Sequence, residues 1–469
     1  MNSTQPEPPL LPTPASRRFS VFIKIASIGL LIALLHGPLA MTNGVLRERQ
    51  NFQKQAVGEI ESTWGRSQLI TGPVLVVPYS ITTKWTKEVM DAEGKMKAVE
   101  ETGVSRGCSY LLPTVLEAQA ELDPEMRYRG IYQAVVYSAK VTLKGTIATD
   151  LTDISVDRAV YEWDKATLLI GVTDARRLRV APALEVAGVD YAVEARAEKE
   201  SGFGLAAKIN ASGPGKELPF VITLDLQGSE QLEFAPVGKR TEARVHSSWR
   251  NPMFTGAQLP VARTISHEGF DATWRMAHYG RSFPPAWTDS DLNTAANFQR
   301  ILESGFGVSF VAPVDGYRLV DRAQKYGVLF FTLVFAVFFL FEVTSALRIH
   351  PLQYAMVGAA LCLFFLGFLA LSEFWTTGLA YGAAAAACTI MVSAYAWNFL
   401  RTGLRTLVIG GGLGATYGYL YFVLKSQDYA LVAGTVALFA VLALVMFCTR
   451  RINWYSLEMN IPATVAAQQ

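Results

Sequence analysis

Charge is in short supply in this chain. Charged side chains make up 17% of its 469 residues, against roughly 25% in an ordinary soluble domain. The shortage is local. Residues 1–42 hold four charges (Glu7, Arg17, Arg18 and Lys24), residues 326–449 hold seven, and residues 450–469 hold three. The remaining 68 fall in residues 43–325, where they reach 24%. The flanks exclude a wholly soluble enzyme, and the middle excludes a bare membrane bundle. A net charge of +2 offers no basic footprint for nucleic acid, which is not an expected partner. Cysteine is scarce too. Cys362, Cys388 and Cys448 lie in apolar runs, and only Cys108 lies in the charged middle. One thiol cannot close a loop within that domain, which must therefore stand on its core. Cys108 reads as a buried free thiol, with a bridge to another chain as the alternative.

Signatures of chemistry are missing as well. His246, His267 and His278 stand 21 and 11 residues apart, with no paired cysteines and no HExxH helix. That spacing gives no metal site. No GxSxG occurs for a serine hydrolase. Ser-Gly-Pro-Gly-Lys-Glu at 212–217 lacks the first glycine of a phosphate loop, and Glu217 stands where Ser or Thr is needed. A β-turn accounts for it. No catalytic residue, metal ligand or cofactor site is assigned.

Long apolar runs are what the flanks do have. Crossing lipid as a helix takes about 20 mostly apolar residues. The first run, within residues 19–42, follows Arg17 and Arg18; its length and poor small-residue cleavage pattern favour an uncleaved anchor over a signal peptide. Five further runs lie at about 326–347, 352–372, 376–398, 406–424 and 429–449. With the N-terminus inside, Arg348, Arg401, Arg405, Arg450 and Arg451 all fall in the cytoplasm, as the positive-inside rule requires. Six spans return the C-terminus to the same side. The expected layout is a cytoplasmic tail (1–18), an anchor (19–42), an extracytoplasmic domain (43–325), a five-span bundle (326–449) and a cytoplasmic tail (450–469).

In the middle segment, Val45, Phe52, Ala56 and Ile60 recur at helical spacing, which predicts an amphipathic helix running to about Thr63. Beyond Gly72-Pro73 the period becomes two. Ala139, Val141, Leu143, Gly145 and Ile147 alternate with polar residues, and so do Phe220, Ile222, Leu224 and Leu226. The latter run is expected to meet Leu232 and Phe234 as a hairpin across Gly228-Ser229. The class is mainly antiparallel β, a sandwich or two joined sandwiches.

Two features of the bundle carry site hypotheses. Gly410, Gly414 and Gly418 form two overlapping GxxxG units, a face that lets helices approach closely, either within the chain or between copies in a homo-oligomer. Gly378 and Gly382 repeat the device. Glu342 is the one acid well inside a run. It lies roughly 9 Å along a helix from Arg348 but not on the same face. With Arg348 and His350 it marks a polar site that serves either structure or transport.

Several ordered blocks resemble the CreD family of Gram-negative inner-membrane proteins, described as cell envelope integrity proteins. They are Trp64-Gly65 with Ile70–Tyr79, Val172–Arg176, Phe270–Trp274, Asp321–Tyr326, Phe341–Tyr354, Leu369–Glu373 and Asn453–Tyr455. The resemblance implies an inner-membrane location, a periplasmic domain and a link to envelope stress, including two-component induction, colicin tolerance and altered β-lactam susceptibility. It supplies no catalytic residue or cofactor. The resulting expectation is a non-catalytic, multi-pass protein of the lipid bilayer whose β domain binds an envelope component or partner protein. A transporter or lipid-handling protein using the bundle and Glu342 is the alternative.

Overall fold

A computed structural model describes residues 14–90, 96–196, 203–211, 213–289, 294–310, 316–345, 349–400, 402–426 and 430–450. The chain forms two compact units, one from residues 1–53 and 314–469 and the other from residues 54–313. Helix α1 (Pro14–Trp64) supplies residues to both and continues unbroken from the apolar run into the charged stretch, with Pro38 inside it. The helix ends one residue beyond the sequence expectation, with Ala56 buried but Val45 and Phe52 exposed.

The unit of residues 54–313 is built on strands. In order they are β1 (Gln68–Met90), β2 (Met96–Leu111), β3 (Val115–Arg129), β4 (Tyr132–Ala148), β5 (Ala159–Tyr161) and β6 (Ala166–Val172). Next come β7 (Ala183–Val186), β8 (Val189–Tyr191), β9 (Glu194–Ala195), β10 (Leu205–Ile209), β11 (Glu217–Ser229) and β12 (Gln231–Phe234). The last six are β13 (Arg240–Ser247), β14 (Pro252–Gly256), β15 (Ala262–Ile265), β16 (Phe270–Ala277), β17 (Ala286–Thr288) and β18 (Phe306–Phe310), with α2 (Thr294–Glu303) before β18. One sheet of ten strands runs β14-β18-β12-β1-β6-β10-β9, with β2 and β5 also on β1 and β17 on β2. The other, of eight, runs β15-β16-β13-β3-β4-β11-β7-β8. Pairing is antiparallel except for β1 with β12 and β13 with β3.

Both sheets contribute to one hydrophobic core, which includes Val74 and Leu168 from the first and Val141, Leu224 and Trp274 from the second. The shared core makes this a single sandwich rather than two. The solvent face of the second sheet sets Glu117 opposite Lys144, Glu121 opposite Lys140 and Glu242 opposite Arg275. Such cross-strand pairs of opposite charge stabilise a wetted face.

Two expectations about the strands need correcting. β11 and β12 do not form a hairpin. β11 pairs with β4 and β7 in the eight-stranded sheet, whereas β12 pairs with β1 and β18 in the other. Glu230 between them takes a left-handed φ of 58°, and the tight turn there passes the chain from sheet to sheet. Gly72-Pro73 likewise lies within β1, at a shift in register between Thr71 and Val74 against β6. Cys108 is half-buried and free.

The other unit contains α3 (Gly316–Lys325), α4 (Gly327–Ser345), α5 (Pro351–Ser372), α6 (Thr377–Leu400), α7 (Gly403–Lys425) and α8 (Ala430–Thr449). Among the described residues, four helices are long and apolar enough to cross a membrane: α1, α5, α6 and α7. A fifth span results if α3 and the first part of α4, bent by 53°, count as one. The sequence reading of six runs did not foresee α3. It is a ten-residue amphipathic helix that buries Tyr317, Val320, Ala323 and Gln324.

Candidate functional site

In the helical unit the buried acid sits where α4 gives way to α5. Glu342 is 6% exposed. Its Oε1 accepts the Ile349 backbone N–H at 3.1 Å, and its Oε2 accepts the Tyr354 hydroxyl at 3.1 Å. The Tyr354 ring is held in turn by Phe335 and Phe338 of α4, with centroids 5.9 and 6.3 Å away. The carboxylate thus ties the end of one helix to the start of the next. Arg348 lies outside the described residues. His350 serves α5 as its N-cap: its Nδ1 accepts the Leu352 N–H at 3.2 Å, while Gln353 Oε1 accepts the His350 N–H at 2.9 Å. That reciprocal pair is a capping box, and it satisfies N–H groups that the first turn leaves without partners.

A second acid, which the sequence reading did not single out, lies at the opposite end of α5. Glu373, the C-cap residue of that helix, accepts the Tyr317 hydroxyl of α3 at 3.0 Å and pairs with Arg49 of α1 at 3.6 Å. Adjacent, Gly316 fits against Ser372, and a Cβ there would lie 3.3 Å from the serine side chain.

The three glycines of α7 behave differently from one another. A Cβ on Gly410 would lie 2.7 Å from Ser393 Oγ of α6, whereas Gly414 and Gly418 meet open space. The buried stripe of α7 consists of Thr406, Ile409, Leu413, Tyr417, Leu420, Val423 and Leu424. Gly410 flanks that stripe; Gly414 and Gly418 lie off it. Within the chain, close approach is therefore a property of Gly410 alone among the three.

In the β unit a polar cluster gathers where α1 enters the sandwich. Arg177 donates to the carbonyls of Ser62 and Thr63, capping the helix end. Trp64 Nε1 donates to Tyr137 O at 3.2 Å, Arg127 stacks over the Trp64 ring at 4.4 Å, and Arg129 pairs with Glu59. Gly65 has φ +150°, and a side chain there would collide with the Gln227 carbonyl, so only glycine suits this turn. Buried Gln68 receives the Asp174 N–H at 3.2 Å and donates to Gln227 O at 3.1 Å. Two of the sequence blocks, Trp64–Tyr79 and Val172–Arg176, thus meet here.

This root also holds Glu61, whose Oε1 is buried without a donor. Burial first, then the charge and hydrogen bond of neighbouring Glu230, push its pKa up from 4.5 to about 7, while Arg66 pulls the other way. No sequence pattern marks this pair, because the two acids come from a helix end and a distant turn. Among the described residues no group of three or more His, Cys, Asp or Glu is placed to hold a metal.

Comparison with known proteins gives the lineage. Two solved structures of yeast leukotriene A4 hydrolase overlap the fold only slightly. One matches at 11% identity and TM-score 0.18 over 35% of this chain and 29% of that one. The other matches at 9% identity and TM-score 0.19 over 44% of this chain and 30% of that one. Overlaps of this size say nothing about the fold. By sequence the chain is 29% identical to the inner membrane protein CreD of Escherichia coli strain K12, over 94% of this chain and 95% of that protein. The family model described as inner membrane protein CreD matches residues 20–455. With nearly the whole chain matched, this protein belongs to the CreD family of inner membrane proteins.

Proposed function

We propose that the chain is a non-catalytic, six-span inner-membrane protein supporting cell-envelope integrity. Both termini lie in the cytoplasm, and the β sandwich lies in the periplasm, where it binds an envelope component or partner protein. The observation that carries the binding role is a ribbon leaving the sandwich. β1 and β2 stay in register from Leu75↔Leu111 to Met90↔Met96. Among the described residues, β1 has no other partner strand beyond Ile81, where its pairing with β5 ends. From there β1 and β2 are two paired strands with open edges among the described residues, a form marginal in water by itself and suited to adding a strand from another chain. Trp85 (47% exposed) and Val104 (59% exposed) stand out on it.

Glu342 gives less support to transport, because both carboxylate oxygens are engaged in joining α4 to α5. A photo-crosslinking residue in place of Trp85 should trap a partner in living cells, identified by mass spectrometry. The same residue in place of Glu121, on the charged sheet face, should not. Trapping from Glu121 but not from Trp85 would refute the ribbon's role. A cysteine near Gln427 should react with an impermeant thiol reagent from the periplasm, and one near Gly403 only after the inner membrane is opened. The reverse labelling would overturn the orientation.

A further inference from the structure

The root of α1 contains one contact between two acids. Its other ties each join a donor to an acceptor: Arg177 to the Ser62 and Thr63 carbonyls, Trp64 to the Tyr137 carbonyl, and Arg129 to Glu59. Glu61 differs. It lies in the last turn of α1, and the turn joining β11 to β12 is held beside it by the Ser229 N–H, which donates to the Arg66 carbonyl at 3.3 Å; the exposed Glu230 side chain of that turn comes against the half-buried Glu61. Both are hydrogen-bond acceptors when ionised, and among the described residues the buried Oε1 of Glu61 has no hydrogen-bond partner. The turn is held in place from behind, since the Glu230 carbonyl accepts the Phe310 N–H at 2.7 Å and the Ser309 hydroxyl at 3.2 Å. Its left-handed φ of 58° fixes where the Glu230 side chain leaves the backbone.

Two carboxylates held in this way repel each other, and a single proton shared between them turns repulsion into a hydrogen bond. We propose that Glu61 and Glu230 form an acid-closed clasp, tightening the end of α1 onto the β sandwich when the surrounding medium is acidic and loosening it when it is neutral or alkaline. The charged groups around the root include Arg66 on the lead into β1, Arg177 and Asp174 on the turn after β6, the Glu59–Arg129 pair, and Arg127 of β3, which lies over Trp64 and pairs with Glu125. Of these, Arg66 opposes closure by favouring the ionised form of Glu61. The sign is fixed by the direction of the shift. An acid whose pKa is raised on folding costs no stability below its ordinary value of 4.5; the cost grows as pH rises towards about 7 and is constant above that. In a periplasmic domain this would couple the sandwich to the pH outside the cell. The clasp itself rests on the β unit alone and does not depend on the orientation proposed above.

Hydrogen exchange of the purified full-length chain, corrected for intrinsic rates, tests it. Amides of residues 60–66 should be better protected at pH 5 than at pH 8, and the melting temperature should fall by about 2–4 °C over the same interval. Glu61→Gln and Glu230→Gln, each able to donate an amide hydrogen to the remaining acid, should both abolish the difference in protection. Either variant suffices should the other not fold. A pH difference that survives in the variants, or is absent from the natural chain, overturns the clasp. So does recovery of protection at pH 8 on adding Mg2+, which would make a cation rather than a proton the bridge.

Discussion

Replacing Glu342 by leucine would leave two buried donors, the Ile349 N–H and the Tyr354 hydroxyl, without their acceptor. Each unsatisfied group costs about 1–3 kcal/mol, so the loss should come to roughly 2–6 kcal/mol, or roughly 5–20 °C in melting temperature. Glutamine keeps one oxygen and nearly the same shape. It gives up the charge assistance of two hydrogen bonds, for about 1–2 kcal/mol. Tyr354→Phe, measured alone, should cost about 1–3 kcal/mol; in the Glu342→Leu background it should cost less, because the hydroxyl has already lost its acceptor. Thermal unfolding of the full-length chain in one detergent, read beside complementation of an envelope-stress phenotype, gives all four values. If Gln were as unstable as Leu, the Ile349 N–H and Tyr354 hydroxyl would not be what holds the carboxylate. An abundant, stable Gln variant without function would move Glu342 from structure to transport.

Gly410→Leu should lower yield and melting temperature, since its side chain would have to enter the space of Ser393; Gly414→Leu should leave both unchanged in detergent, and equal losses would show that α7 is rotated from the face described. In the sandwich, Gly145→Ala would push a Cβ into the Val115 carbonyl and to 2.9 Å from the Phe220 ring, costing about 1–3 kcal/mol or more. Gly204→Ala, with only ordinary contacts near 3.4 Å, is the matched control, and equal urea midpoints for the two would contradict the close strand approach at Gly145.

The division into apolar flanks and a charged middle was legible because lipid tolerates so few charges. Period-two runs found β4 and β11, which pair directly as Val141↔Leu224 and Gly145↔Phe220. Periodicity gives a strand its face but not its sheet, however, and nothing local in Gly228–Gln231 says that the chain leaves one sheet for the other. The GxxxG spacing leaves a similar gap within the chain. It places three glycines on one line of α7, but the apolar stripe through Ile409, Leu413 and Tyr417 determines which line is packed. Helix α3 was missed because Arg318, Asp321, Arg322 and Lys325 disguise a helix whose buried face is only four residues wide. Glu61 and Glu230 could not be paired from sequence at all, as their meeting depends on the tertiary path of β11 and β12.

Three of the buried or half-buried acids share a position that explains why their partners differ. Glu342 lies in the last turn of α4, Glu373 caps the end of α5, and Glu61 lies in the last turn of α1. The carbonyl end of a helix carries a partial negative charge, so an acid there is unfavourable unless donors are brought to it. Glu342 receives a backbone N–H and a tyrosine hydroxyl, and Glu373 receives a tyrosine hydroxyl and an arginine. In both cases the donors come from another element, so the acid fastens that element to the helix end. Glu61 has the same placement, but the side chain brought to it is a second acid. A fastening of that kind holds only when a proton is present, and this sets the root of α1 apart from the two joints of the helical unit.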